Sequence, residues 1–152
     1  MNEKNANFQT KINLLKERYQ FDFVSLALTQ SFEDSFVLKW KFAAGNLNHR
    51  YKRITLFSGK GIAGIVFKTG KPLLIQNINE EIYGKDLFNY PIIVSESLKS
   101  IGAIPLWKDQ RVEGVLLVGF RKEKMVTSEH IESLQTEIGD NFQPFYGKER
   151  IV

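Results

Sequence analysis

The chain has 152 residues, a formal charge of +4 and no cysteine. Its length suits one domain with a single sizeable core, and the absence of thiols excludes disulfides, thiolate metal sites, thiol catalysis and thioether-linked chromophores. The excess Lys and Arg are dispersed, whereas a nucleic-acid surface needs them concentrated, so no nucleic-acid partner is expected.

Even the densest basic run, His49-Arg50-Tyr51-Lys52-Arg53, reads as a solvated strand edge or loop. A content of 43% apolar residues, twelve of all residues being Phe, with charge mixed along the chain, indicates a folded protein. No run of about 18 apolar residues is present, and Met1-Asn2-Glu3-Lys4-Asn5 has no apolar leader stretch. A cytoplasmic protein without a membrane partner is the expectation.

In chain order, Phe8, Ile12, Leu15 and Tyr19 recur at helical spacing and predict an amphipathic helix over 7–19. Phe21 to Thr29 reads as a strand, followed by a turn over 30–35 and a second strand from Phe36 to Phe42. In that strand the alternation predicts Phe36, Leu38, Trp40 and Phe42 on the inner face, with Lys39 and Lys41 outside. Ala43 to His49 reads as a loop and Lys52 to Phe57 as a strand.

The next stretch, Ser58-Gly59-Lys60-Gly61-Ile62-Ala63-Gly64, is a Gly-rich turn opening into a short apolar helix, with unpaired backbone N–H groups at its start. An anion pocket is one reading of such a turn; plain packing or capping is the other. The helix should end near Gly70-Lys71-Pro72.

Leu73 to Ile75 is a short strand, and 76–86 a polar connection. Pro91 suits the first position of a helical turn capped by Asn89 or Tyr90, which would leave the Ile92 and Ile93 N–H groups without partners in that turn. Ser100 to Trp107 and Val112 to Phe120 predict a hairpin across Lys108-Asp109-Gln110-Arg111, with Gly102, Gly114 and Gly119 permitting close packing. Thr127-Ser128-Glu129 caps a last helix with apolar positions Ile131, Leu134, Ile138, Phe142 and Phe145, which Pro144 should kink or end. The plan is α+β: an antiparallel sheet with the terminal helices on one face and short pocket helices on the other.

The turn Gly59-Lys60-Gly61-Ile62-Ala63-Gly64, the following Thr69-Gly70-Lys71-Pro72 and the late Gly-Ala-Ile-Pro-Leu and Gly-Val-Leu-Leu-Val strand segments resemble those of GAF domains over nearly the whole chain. The resemblance implies one GAF domain over 1–152. Within that group, methionine-sulfoxide reductases and common bilin photoreceptors need cysteines, and the Asn-Lys-x-Asp motif of cyclic-nucleotide binders is not apparent. The chain is most similar to the single-domain nitrate receptors that act beside a sensor histidine kinase in the Nre-type nitrate and oxygen regulatory system.

In that family nitrate lies between a tryptophan, amides at the pocket-helix start and a Tyr-Pro-Ile segment. The matching positions here are Trp40, Ile62, Ala63, Tyr90, Pro91 and Ile92. The resemblance implies N–H donors at Ile62, Ala63 and Ile92, the Trp40 indole as a further donor, and Tyr90 and Pro91 as walls. Trp40 alone would equally suit a core position. A GAF module for another small ligand, such as a purine or amino-acid derivative, is the alternative.

Lys60 lacks the context of a phosphate loop, His49 and His130 lack companions at metal-ligand spacing, and no Ser-His-Asp arrangement suggests itself. Neither catalysis nor a cofactor is expected. A homodimer through terminal-helix residues Phe8, Ile12, Leu134 and Phe142 is weighed against those residues simply covering the sheet.

Overall fold

The computed structural model describes residues 3–149. The remaining residues, with the two ends of the expected 1–152 domain, lie outside the described residues. In order come α1 (Glu3–Tyr19), β1 (Phe23–Phe32), β2 (Ser35–Ala44), β3 (Thr55–Leu56), α2 (Gly61–Thr69), β4 (Leu73–Ile75), α3 (Ile78–Glu81), α4 (Pro91–Glu96), β5 (Ser100–Lys108), β6 (Arg111–Phe120) and α5 (Ser128–Asn141). The strands form one antiparallel sheet in the order β3-β2-β1-β6-β5-β4.

Each face of the sheet carries its own core. On one, Phe8, Ile12 and Leu15 of α1 and Ile131, Leu134 and Ile138 of α5 pack on Leu26, Leu116 and Val118. A fully buried side chain of this kind contributes about 1.5–3 kcal/mol, which draws both amphipathic helices onto the same surface. Phe8, Ile12, Leu134 and Phe142 are all buried there, so these four stripe residues cover the sheet. On the opposite face α2, α3 and α4 bring Ile62, Val66, Ile78, Ile92 and Ile93 onto Phe23, Leu38, Trp40 and Leu117. The α+β plan and the division of helices between faces are as the sequence predicts.

Local departures have local causes. The expected six-residue turn after β1 is a two-residue one, since Phe32 still pairs with Ser35 and Glu33 takes a positive φ of 55°. The β5–β6 connection likewise tightens to Asp109-Gln110, both left-handed at 53° and 65°, the backbone twist that two-residue hairpins favour.

In β2 the register shifts where Leu26 pairs with Phe42 and Ala27 with Trp40. Lys41 is the extra residue of this bulge. Phe42 therefore turns to the α1/α5 face, against the expected alternation, while Trp40 stays on the α2/α4 face. Phe36 lies beyond the core and is exposed.

Residues 52–57 hold only the two-residue β3, because a 3-10 turn, Arg50–Arg53, buries Tyr51 and exposes its basic neighbours. The polar connection 76–86 contains α3, whose Asn77 side chain accepts from the Glu80 N–H, and leads into a second 3-10 turn at Gly84–Asn89. At the C-terminal end, Phe142 caps α5 and Phe145 lies beyond it, yet both remain in the core.

Candidate functional site: two bare helix starts and a buried indole

The Gly-rich turn is built by backbone contacts. The Lys60 N–H donates to the Phe57 carbonyl at 2.9 Å, and the Gly59 N–H donates to the Gly64 carbonyl at 2.7 Å, folding the turn against the helix it precedes. Gly61 sits at φ +67°, and a Cβ on Gly64 would stand 2.3 Å from the Phe57 oxygen. Neither place admits another residue without strain.

Lys60 is the N-cap of α2 but makes no side-chain cap bond, and the first turn contains no acid. Its own side chain is exposed. The N–H groups of Ile62 and Ala63 therefore have no side-chain cap and no carboxylate in their own turn, and both residues are fully buried.

The start of α4 has the same character. Tyr90 is its N-cap with no side-chain bond and Pro91 its first residue, and again the first turn lacks an acid. Proline brings no N–H, so Ile92 is the first potential donor. The expectation that Ile93 would also be free is corrected: its N–H donates to the Tyr90 carbonyl at 3.0 Å. Where caps are made elsewhere they are complete, as at Asn77 of α3 and at Thr127, which forms a reciprocal capping box with His130 at α5.

Trp40 supplies the third element. It is 2% exposed, and its indole Nε1 is a buried donor without a hydrogen-bond partner. Such a group costs about 1–3 kcal/mol when left unsatisfied. Trp40, Ile62, Ala63 and Ile92 belong to one packed cluster, against which Tyr90 rests; Pro91 is half-buried at its margin. Neutral N–H donors in apolar surroundings, where they converge, suit a small, weakly hydrated anion.

Open clefts lie elsewhere. One of about 460 Å³ is lined by Phe36, Phe67, Trp107 and Arg111, and another of about 330 Å³ by Asn77, Lys99, Lys122 and Met125. Among the described residues no three His, Asp or Glu side chains gather as a metal site, and no helix is long and apolar enough to cross a membrane.

Sequence reasoning missed the polar group behind α4. Glu96 is fully buried and paired with Arg121 at 2.6 Å. Nearby, burial first and the Glu96 charge second push the pKa of the Tyr51 phenol above its ordinary value. One signal was available: Ile92, Ile93 and Glu96 fall on a single helical face, so a glutamate lies where a third apolar residue would be expected.

Neither a protein-family model nor a curated protein sequence matches the chain. Solved structures do. A hypothetical protein from S. aureus is 38% identical, with a TM-score of 0.74 over 78% of this chain and 95% of that one. A NreA protein from Staphylococcus aureus, mutated in its nitrate-binding site, is 36% identical, with a TM-score of 0.78 over 82% of this chain and 90% of that one. The GAF domain region of a putative membrane protein from Geobacter sulfurreducens, at 17% identity and a TM-score of 0.71 over 93% of this chain and 91% of that one, shares the fold alone. With its Gly-rich turn, its two-faced sheet and more than a third of its aligned residues in common with NreA, the chain belongs to the NreA family of GAF-fold proteins.

Proposed function

We propose that this chain is a cytoplasmic nitrate receptor that modulates a sensor histidine kinase controlling nitrate respiration. Nitrate is taken up between the Trp40 indole, the Ile62 and Ala63 N–H groups at the start of α2, and the Ile92 N–H, with Tyr90 and Pro91 as walls. The observation that carries this reading is the buried, unpartnered Nε1 of Trp40 in one cluster with two helix starts that carry no side-chain cap. NreA supports the choice of anion, since that relative is described as having a nitrate-binding site.

The gross interaction terms put micromolar binding within reach before desolvation is subtracted. A helix start contributes about 0.3–1 kcal/mol toward an anion when exposed, and up to about 2 when partly buried. Each charge-assisted hydrogen bond adds roughly 1.5–3 kcal/mol before desolvation is subtracted. Micromolar binding needs about −8 kcal/mol. Binding without turnover is the proposed activity. Nitrate then acts on the kinase only through different affinity for two states of the receptor.

Calorimetry with nitrate, chloride and a purine nucleotide tests the reading, together with tryptophan fluorescence in the wild type and in Trp40→Phe, where only Trp107 remains. Saturable nitrate binding that depends on Trp40 is expected. A nucleotide response without a nitrate response would instead favour a GAF module for another ligand.

A further inference from the structure

We propose that Glu96 is a positioning residue for the nitrate site: with Arg121 it pins the far end of α4 and so sets the direction of the Ile92 N–H. This rests on the proposed nitrate reading.

Helix α4 has six residues and is only about 9 Å long, so whatever fixes one end orients the other. Its C-terminal end is held from three sides. Arg121 Nη2 donates to Glu96 Oε1 at 2.6 Å and Arg121 Nε to the Glu96 carbonyl at 2.8 Å, so one guanidinium takes both the carboxylate and an open carbonyl of the last turn. The Leu47 N–H donates to the same Oε1 at 2.8 Å. Asn48 Nδ2 donates to the Ser95 carbonyl at 2.8 Å, bringing the loop after β2 across the end of α4.

Arg121 is itself anchored. Its N–H donates to Asp22 Oδ2 at 2.7 Å, and Nη1 to the Asp22 carbonyl at 3.2 Å. The guanidinium carbon stands 5.7 Å from the centre of the Phe23 ring, and Phe23 packs in the same core as Trp40. The helix start and the indole are thus referred to one frame.

Stability alone does not explain the pair. A buried ion pair is often replaceable by apolar side chains at no loss, while removal of one partner leaves an uncompensated charge. Glu96 also lies at a helix C-terminus, where the dipole disfavours an anion, and its Oε2 is buried with no partner. The carboxylate is held through one oxygen only. What the arrangement supplies is direction: a fixed fork geometry between Arg121, directly after β6, the loop at 47–48 and α4.

The test compares wild type, Glu96→Gln, Glu96→Asp and Arg121→Lys. Nitrate affinity is measured by calorimetry, the melting temperature without nitrate, and amide hydrogen exchange without nitrate at Ile93 and Leu98 against Gly70 at the end of α2. Glu96→Gln keeps the shape and removes the charge; Arg121→Lys keeps the charge and removes the fork. We expect nitrate affinity to fall about tenfold in both, with exchange accelerating at Ile93 and Leu98 but not at Gly70.

A lowered melting temperature with wild-type nitrate affinity and unselective exchange would overturn the proposal and leave Glu96 a purely structural residue. If wild type binds no nitrate, the receptor function fails separately, and exchange in the ligand-free variants still decides for Glu96. Loosening confined to α4 then supports its positioning role, and uniform or absent loosening refutes it. Should Glu96→Gln not fold, Glu96→Asp and Arg121→Lys carry the same comparison.

Discussion

Replacing Trp40 by Phe separates the two things this residue does. The side chain fills the core beside Ile62, Ala63 and Ile92, and its Nε1 is a buried donor with no partner. Without ligand, the smaller ring leaves a cavity that costs about 1–3 kcal/mol, while removal of an unsatisfied N–H returns about 1–3 kcal/mol. The two terms oppose each other, so the ligand-free melting temperature should move little.

With nitrate the balance is one-sided. Loss of a charge-assisted bond of about 1.5–3 kcal/mol weakens binding roughly 10- to 150-fold. At nitrate one hundred times the wild-type dissociation constant, the wild type gains about 2.7 kcal/mol, or roughly 5–11 °C for a chain of this size. Under the same conditions Trp40→Phe gains only about 0.3–1.3 kcal/mol. Thermal melts at several nitrate concentrations, with calorimetry on both proteins, give these values. Wild-type affinity in a folded Trp40→Phe protein would refute the role assigned to the indole.

Other substitutions probe the surrounding frame. Gly64→Ala places a methyl 2.3 Å from the Phe57 carbonyl oxygen and should destabilise by about 1–3 kcal/mol in denaturant unfolding; an unchanged midpoint would contradict the close approach. Thr127→Ala removes the oxygen that accepts from the His130 N–H at 3.2 Å, costing about 1 kcal/mol, yet nitrate affinity should stay constant because α5 packs on the other face of the sheet. For Tyr51, burial and then the Glu96 charge raise the folded pKa above the ordinary 10.0. The protonated phenol therefore stabilises the fold; that contribution is complete below pH 10 and is lost as pH rises through the folded value. Tyr51→Phe should flatten this alkaline decline in stability measured from pH 8 to 11, and an identical slope in both proteins would count against it.

The sheet, the two helix layers and the Gly-rich turn were legible because each follows from a repeat or from a residue with one conformational use. Phe8, Ile12 and Leu15 mark a helical face by spacing alone, and Gly70 ends α2 in the left-handed conformation that its position suggests. Phe42 was misplaced because the alternation rule assumes an unbroken ladder, and the bulge at Lys41 leaves no compositional mark. The short 3-10 turn at Arg50–Arg53 and the one-turn helix α3 escaped for a different reason: a single turn has no period to detect. Glu96 was hidden by the same brevity of α4, although its spacing from Ile92 and Ile93 put it on their face.

The site, on the proposed reading, is distinguished by what the sequence withholds from it. Thr127 and Asn77 cap α5 and α3 with their own side chains, which satisfies those helix starts permanently. At α2 and α4 the corresponding positions hold Lys60 and Tyr90, neither of which bonds back, and no Asp or Glu stands in either first turn to take an acid's place. A cation at the site would bind many anions tightly, through charge, and discriminate poorly among them. Amides held in position by Gly61, Gly64 and Pro91, with an indole that cannot reorient in its core, recognise instead by the directions of their N–H bonds. Beside these uncapped starts the Trp40 indole is a buried donor without a partner, and on the proposed reading a bound anion satisfies it. That satisfaction contributes affinity; occupancy shifts the receptor's conformation to the extent that a second state holds these donors differently.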